Sequence, residues 1–192
     1  MKNVGIFGGS FDPVHLVHIQ LAKAAYQAFG LDEVRLMPCA QQALKGHNPA
    51  NAEARCAMLR LAVRNVSFLS LDSREVFRGG RTYTFDTLSE LRKEEPDVRF
   101  WFIMGMDSVC DFPRWYRADE LVDLCEFIVF LRPGIKPPIY PFSKKLLAHQ
   151  LKGPMLNCSS TEIRHAVAKH AVFRYPIDTL VESYLRRHQL YN

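Results

Sequence analysis

The stretch from residue 4 to residue 18, VGIFGGSFDPVHLVH, constrains this chain more than any other. Its first four residues form an apolar run suited to a buried strand, which breaks at Gly8 and Gly9. Glycines at such a break can take backbone angles closed to other residues and let a ligand approach the main chain. Ser10, Phe11 and the Asp12–Pro13 step follow, and then His15 and His18. Beyond them Ile19, Leu21, Ala22, Ala25, Tyr26 and Phe29 recur at helical spacing and predict a helix over 16–29. A strand, a glycine turn and a helix start, with its free N–H groups and positive dipole end, form a phosphate-binding arrangement. A glycine pair at a strand–helix junction is more often only a turn. Two histidines at this spacing without a third ligand are a weak metal signal. The order of the whole string is what gives it weight.

The 192 residues suffice for one large domain, and a single domain over 1–192 is expected. Apolar residues make up 48% and charged ones 23%, ordinary values for a soluble globular protein. No apolar run is long enough to span a bilayer, and no signal-peptide pattern precedes the first strand. The five cysteines, at 39, 56, 110, 125 and 158, lack Cys-x-x-Cys spacing, so reduced thiols in a cytoplasmic protein are the expectation. A net charge of +5 suits anionic ligands but carries little weight, and it is not clustered as in an RNA-binding module. No membrane or nucleic-acid partner is expected, and a homo-oligomer is left open.

Strand-like runs at 34–37, 68–71, 98–104 and 127–131 alternate with helical patterns at 16–29, 52–64, 84–94 and 117–124. A last short strand is read at 155–157, with helices at 160–168 and 176–187, Pro176 falling in the first turn of the latter. Residues 39–51 read as a loop, and the proline-rich 132–141 as a stiff connection into a short helix near 143–149. The expected class is therefore α/β, a Rossmann-like doubly wound parallel sheet with helices on both faces and a helical C-terminal end. In such a sheet ligands bind beyond the carboxyl ends of the strands. Residues 8–18, Lys45, residues 105–108, Arg132 and residues 159–164 all follow strands in this reading.

The run Cys158-Ser159-Ser160-Thr161-Glu162-Ile163-Arg164 reads as a helix start. Glu162 lies three residues after Ser159, the spacing of a capping box. A capped helix explains the hydroxyls, but it does not explain Arg164 one turn in. Hydroxyls, free N–H groups and a guanidinium together suit a polyphosphate.

The first string resembles the signature of the nucleotidylyltransferase superfamily: a glycine pair, Thr or Ser, Phe, Asp-Pro, then His-x-Gly-His, with Val17 here in place of the last Gly. Residues 159–164 resemble the superfamily's C-terminal motif without a gap. Three further stretches resemble the branch that makes nicotinate adenine dinucleotide, the bacterial nicotinate-nucleotide adenylyltransferases. These are Arg81-Thr82-Tyr83-Thr84-Phe85-Asp86-Thr87-Leu88, the strand ending in Gly105-Met106-Asp107-Ser108, and Trp115-Tyr116 with Arg132-Pro133-Gly134 further on. The loop after the second strand departs from that branch: Gln42-Ala43-Leu44-Lys45 stands for Pro-Pro-His-Lys.

The resemblance implies transfer of AMP from ATP to nicotinate mononucleotide in NAD biosynthesis, with release of pyrophosphate. It implies catalytic roles for His15, His18, Lys45 and Arg164. ATP would be held by Gly8, Gly9, Ser10, Phe11, His18, Gly105, Asp107, Ser108, Arg132, Ser159, Ser160, Thr161 and Arg164, and would bring Mg²⁺ with it, without a protein metal site. The acceptor would meet Lys45, Thr82, Tyr83, Thr84, Trp115 and Tyr116. A pyridine ring needs a flat aromatic partner, which Trp115 supplies; a carboxylate needs donors, which residues 82–84 offer. Other readings are the same chemistry on nicotinamide mononucleotide or phosphopantetheine, and a non-catalytic nucleotide-binding sensor. Trp115 and residues 82–84 argue against phosphopantetheine but do not separate acid from amide.

Overall fold

The computed structural model describes residues 1–42, 50–132, 134–135, 139–141, 143–153, 158–169 and 176–192. In chain order the elements are β1 (Lys2–Gly9), α1 (Leu16–Phe29), β2 (Glu33–Pro38), β3 (Gln41–Gln42), α2 (Ala52–Val63), β4 (Leu69–Leu71), α3 (Arg74–Arg78), β5 (Arg81–Thr82) and α4 (Thr84–Glu94). They continue as β6 (Val98–Gly105), α5 (Met106–Asp111), a 3-10 turn (Phe112–Arg114), α6 (Ala118–Leu121), β7 (Glu126–Leu131), α7 (Ser143–Leu146), β8 (His149–Lys152), α8 (Ser160–Ala168) and α9 (Thr179–Arg187).

Six strands form one sheet in the order β4-β2-β1-β6-β7-β8, every pairing parallel. The chain winds outward one way from β1 through β2 and β4, then returns beside β1 and winds the other way through β6, β7 and β8. That is the strand order of dinucleotide-binding sheets, and its switch point lies between β1 and β6. Gly8 and Gly9 sit at the end of one of these strands and Gly105 at the end of the other.

The central strands are apolar on both sides because both faces of the sheet are covered. Val4 and Ile6 pack with Leu88, Leu91, Met106, Val109 and Leu121 beneath α4, α5 and α6. Phe7, Val34 and Ile103 pack on the opposite face with residues of α1, α2, α8 and α9, among them Ala25, Met58, Ile163 and Val181. Each large side chain fully buried here contributes roughly 1.5–3 kcal/mol. Local chemistry fixes the helix ends. Gly30 closes α1 in the left-handed region at φ 57°, and Asn51 and Asp178 cap α2 and α9 by accepting from Ala54 N–H and Leu180 N–H. Among the described residues no helix is long and apolar enough to cross a membrane.

The doubly wound architecture is the expected one, and three local expectations are corrected. The helix near 143–149 is only one turn, because Leu146 is its buried anchor and the chain then pairs His149 and Leu151 with Ile128 and Phe130 of β7. β8 is thus an edge strand that the sequence pattern did not mark, and the strand expected at 155–157 lies outside the described residues. Pro176 is not in the first turn of the last helix. It precedes the Asp178 cap, and its carbonyl accepts from Leu16 N–H at 2.7 Å, joining the C-terminal segment to the start of α1. Within 39–51, residues 41–42 form β3, paired in parallel with β5.

Gly5 shows how closely the sheet and helices approach. A Cβ placed there would lie 2.9 Å from the Leu31 side chain and 3.1 Å from both Ile103 and Val34. Gly5→Ala is expected to lower unfolding free energy by about 1–3 kcal/mol, the cost of overpacking a core. Urea denaturation of the two proteins checks this, and an unchanged midpoint would contradict it.

Candidate active site

The turn after β1 is held by donors from three distant segments. Phe11, a buried non-glycine residue at φ 49°, adopts left-handed backbone that costs about 1–2 kcal/mol. Its ring is fixed edge-on between Phe7 (5.7 Å) and His18 (5.0 Å). Beyond it the Asp12–Pro13 peptide is cis. Arg55, 1% exposed on α2, donates to Ser10 O at 2.8 Å, Cys39 O at 2.7 Å and Ala40 O at 3.1 Å. It thus ties the chain leaving β1 to the chain leaving β2. From α8, Ser160 Oγ donates to Pro13 O at 2.9 Å and Arg164 donates to Asp12 O at 2.7 Å.

His15 occupies the N-cap position of α1 and His18 the third helical position. Their rings lie 3.8 Å apart, inclined at 31°. The backbone N–H of His15 donates to His18 Nδ1 at 3.2 Å. With Nδ1 accepting, a neutral His18 carries its proton on Nε2, which is left as a donor. Burial pushes the His18 imidazole well below its ordinary range, and neighbouring His15 adds to the effect. Burial likewise lowers His15 to about 4, with Glu162 partly opposing it. Both rings are neutral near pH 7 in the free protein.

The expected capping box at the start of α8 is present. Ser159 Oγ accepts from Glu162 N–H at 3.2 Å, and Ser159 N–H donates to the Glu162 carboxylate at 2.8 Å. Arg164 also reaches Thr161 Oγ1 at 3.1 Å. Ser159, Ser160, Thr161 and Arg164 therefore stand beside the Asp12–Pro13 turn, and the two ends of the sequence form one cradle. Arg132 lies just beyond β7 and pairs with Asp107 at 2.5 Å, both exposed.

A cleft of about 500 Å³ opens from Gly8 and Gly9 toward residues 82–84, Trp115 and Tyr116, passing Gly105 and Ser108. Trp115 is half-buried, edge-on to Phe102 at 5.8 Å and inclined on Phe112 at 5.2 Å. Tyr116 stands 4.9 Å from Tyr83. The Thr82 hydroxyl donates to Gln41 O at 3.1 Å, and Tyr83, at the cap position of α4, supplies no side-chain bond. Among the described residues the first N–H groups of α4, at the edge of the cleft, therefore have no side-chain cap. Lys45 lies outside the described residues. The segments flanking it are both anchored to the site: β3 pairs with β5, and Ala50 N–H donates to Asp12 Oδ1 at 3.3 Å. Among the described residues no three His, Cys, Asp or Glu side chains are grouped to hold a metal ion.

The model of the cytidylyltransferase-like family matches residues 6–166, which span the turn, the cleft and α8. A relative from Herpetosiphon aurantiacus, described as a probable nicotinate-nucleotide adenylyltransferase, is 36% identical over 100% of this chain and 99% of its own length. One from Lactiplantibacillus plantarum with the same description is 36% identical over 99% of this chain and 88% of its own. The chain belongs to the nicotinate-nucleotide adenylyltransferase family. Its fold is that of the Plasmodium falciparum nicotinic acid mononucleotide adenylyltransferase complexed with NaAD, with a TM-score of 0.81 and 25% identity over 100% of this chain and 98% of that one.

Two residues of this adenylyltransferase-family site escaped the sequence reading. Arg55 falls with Met58 and Leu59 on the buried face of α2, and a charged residue at an apolar position was the available signal. Glu75 lines the cleft from α3 and accepts from Thr87 Oγ1 at 2.8 Å. Burial raises the Glu75 carboxyl above its ordinary range, with the Thr87 hydroxyl opposing it. Nothing in the local pattern of residues 72–81 marks it.

The depressed His15 has a consequence for stability. Between pH 6.5 and about 4 the unfolded chain takes up a proton at this ring that the folded protein refuses. The stability it contributes is complete above pH 6.5 and is lost as pH falls toward 4. A shift of that size corresponds to roughly 3 kcal/mol. The stability difference between wild type and His15→Gln should therefore shrink by roughly 2–3 kcal/mol from pH 7.5 to pH 4. Urea unfolding at both pH values checks it, and an unchanged difference would contradict it.

Proposed function

We propose that this chain transfers the adenylyl group of ATP to nicotinate mononucleotide, giving nicotinate adenine dinucleotide and pyrophosphate. The observation that carries the reading is a cleft that runs from Gly8 and Gly9, where the chain enters the turn leading to His18, to residues 82–84 and Trp115. A triphosphate at one end and a pyridine mononucleotide at the other would meet at the α-phosphorus. The family and the relatives' descriptions support the same assignment.

In this reading a phosphate oxygen of the mononucleotide attacks the α-phosphorus in line. The new P–O bond forms as the bond to the β-phosphate oxygen breaks, and pyrophosphate leaves. No side chain acts as nucleophile, so catalysis is positioning and charge stabilisation. His18 would donate from Nε2 to an α-phosphate oxygen, and His15 would assist beside it. The N–H groups at the start of α8, with Ser159, Ser160, Thr161 and Arg164, would hold the departing pyrophosphate. Gly8, Gly9, Ser10 and Phe11 would shape the floor under the triphosphate. Gly105, Asp107, Ser108 and Arg132 would meet the nucleoside, and Lys45 would add a positive charge. A divalent cation, Mg²⁺, would arrive on the ATP phosphates and neutralise part of their charge, held there by phosphate oxygens and water.

For the acceptor, Trp115 offers an offset stack worth roughly 0.5–1.5 kcal/mol, with Tyr116 and Tyr83 closing the side of the cleft. The uncapped N-terminus of α4 favours an anionic substituent on that ring, which selects the acid over the amide.

Pyrophosphate release from ATP and Mg²⁺, measured separately with nicotinate mononucleotide, nicotinamide mononucleotide and phosphopantetheine, tests the assignment. Turnover with the first is expected to exceed the other two. Faster turnover with another acceptor would replace the substrate, and no release with any of the three would favour a sensor. His18→Ala should lower turnover by at least about 100-fold with the fold intact, the loss typical of one charge-stabilising donor. Near-normal turnover in that variant would remove His18 from the mechanism.

A further inference from the structure

We propose that Tyr191, the penultimate residue, is a positioning residue for adenylyl transfer: through its bond to Asp12 it sets the turn that carries His15 and His18. The proposal rests on the function given above. The Tyr191 hydroxyl donates to Asp12 Oδ1 at 2.5 Å, across 179 residues of sequence. Asp12 is 1% exposed. The same Oδ1 accepts from Ala50 N–H at 3.3 Å, while Oδ2 is buried without a hydrogen-bond partner among the described residues. The carboxylate is therefore held on one oxygen, by the C-terminal tail and by the residue that ends the segment containing Lys45.

The main-chain carbonyls of the turn are held from α8, through Arg164 on Asp12 O and Ser160 on Pro13 O. Those two groups are the ones offered to pyrophosphate, so their hold on the turn is open to competition when substrate binds. Tyr191 holds the turn through the Asp12 side chain, not through its main-chain carbonyls, and takes no part in phosphate binding in the proposed function. It can keep the turn in place while α8 changes partners. The backbone of the tail is shaped to deliver it: Gln189 at φ 48° and Tyr191 at φ 69° both adopt the left-handed region, unfavourable for non-glycine residues. Leu190 N–H donates back to Leu185 O at 3.1 Å, and the Tyr191 ring packs against the core beneath α1 and α9.

The electrostatics agree. Burial pushes the Asp12 carboxyl up, and the Tyr191 hydrogen bond is the largest influence opposing it. Arg164 from α8, the Ala50 N–H and Arg55 from α2 follow in that order. Tyr191 is itself raised by burial and by Asp12, so its proton stays on the phenol across the working range. Losing the hydroxyl should raise Asp12 further and move the acidic limb of the rate profile to higher pH.

The test is a double-mutant cycle on Tyr191→Phe and Asp12→Asn, read as pyrophosphate release from ATP and nicotinate mononucleotide. Tyr191→Phe is expected to lower kcat roughly tenfold, with the acceptor KM within about twofold of wild type and a thermal midpoint that leaves the protein fully folded at the assay temperature. The acidic limb of its kcat profile should shift upward. In the Asp12→Asn background the same change should have little further effect, since the route through which it acts is gone. A chain ending at Leu190 should behave as Tyr191→Phe or worse. A kcat within twofold of wild type overturns the proposal. So does an equal loss in both backgrounds, an unmoved acidic limb, or a loss that only tracks the folded fraction. Should wild type not use nicotinate mononucleotide, the acceptor assignment fails and this proposal does not. The cycle is then read as affinity for a non-hydrolysable ATP analogue, with the loss again expected only where Asp12 is present.

Discussion

The backbone between Ser10 and Pro13 turns sharply at the carboxyl end of the central strand, and the Ser10, Asp12 and Pro13 carbonyl oxygens are each met by a side-chain donor. Buried carbonyls left without donors cost about 1–3 kcal/mol each, so a turn of this shape exists only where donors are brought to it. Arg55 supplies Ser10 O, Arg164 supplies Asp12 O, and Ser160 supplies Pro13 O. The donors come from α2 and α8, on elements that must already be packed against the sheet. The placement of α8, the link between the ends of β1 and β2, and the seating of α1 with its histidines all depend on this one satisfied turn.

That dependence explains how a phosphate site can be ready before the phosphate arrives. His15 and His18 are kept neutral by burial, so the free protein does not confine two positive charges at the start of α1. The His15 N–H to His18 Nδ1 bond directs the remaining proton to Nε2. Preorganised donors of this kind lose little on meeting a developing charge, because no reorganisation is needed at that moment. In the proposed function the acceptor end would use a different device: Trp115, Tyr83 and Tyr116 would offer flat surface, and the start of α4 would set the direction of charge.

What was legible in the sequence was what local chemistry determines. Gly8, Gly9 and the Asp12–Pro13 step announce a turn, the 16–29 spacing announces α1, and Ser159 with Glu162 announces a capping box that is present as read. The buried parallel strands were visible because β-branched and aromatic residues crowd them. β8 was not, since His149-Gln150-Leu151-Lys152 is half-buried and edge-like, and its identity comes from pairing with β7. The bonds of Arg55, Glu75 and Tyr191 could not be read for a related reason. Their partners lie 16, 12 and 179 residues away, and only the folded sheet brings them within hydrogen-bond reach. Residues 82–84 were legible as a cluster of donors, whereas the Thr82 bond to Gln41 O depends on the pairing of β3 with β5 and was not.

The central claim is that one cleft joins a phosphate turn set by distant donors to a pyridine pocket. A diffraction structure of the protein soaked with nicotinate adenine dinucleotide tests it most directly. The account predicts the pyrophosphate bridge beside Gly8 and Gly9, with an oxygen about 3 Å from His18 Nε2, the pyridine ring against Trp115 and its carboxylate at the start of α4. A dinucleotide bound with its bridge away from His18, or with its pyridine ring outside the cleft, would contradict it.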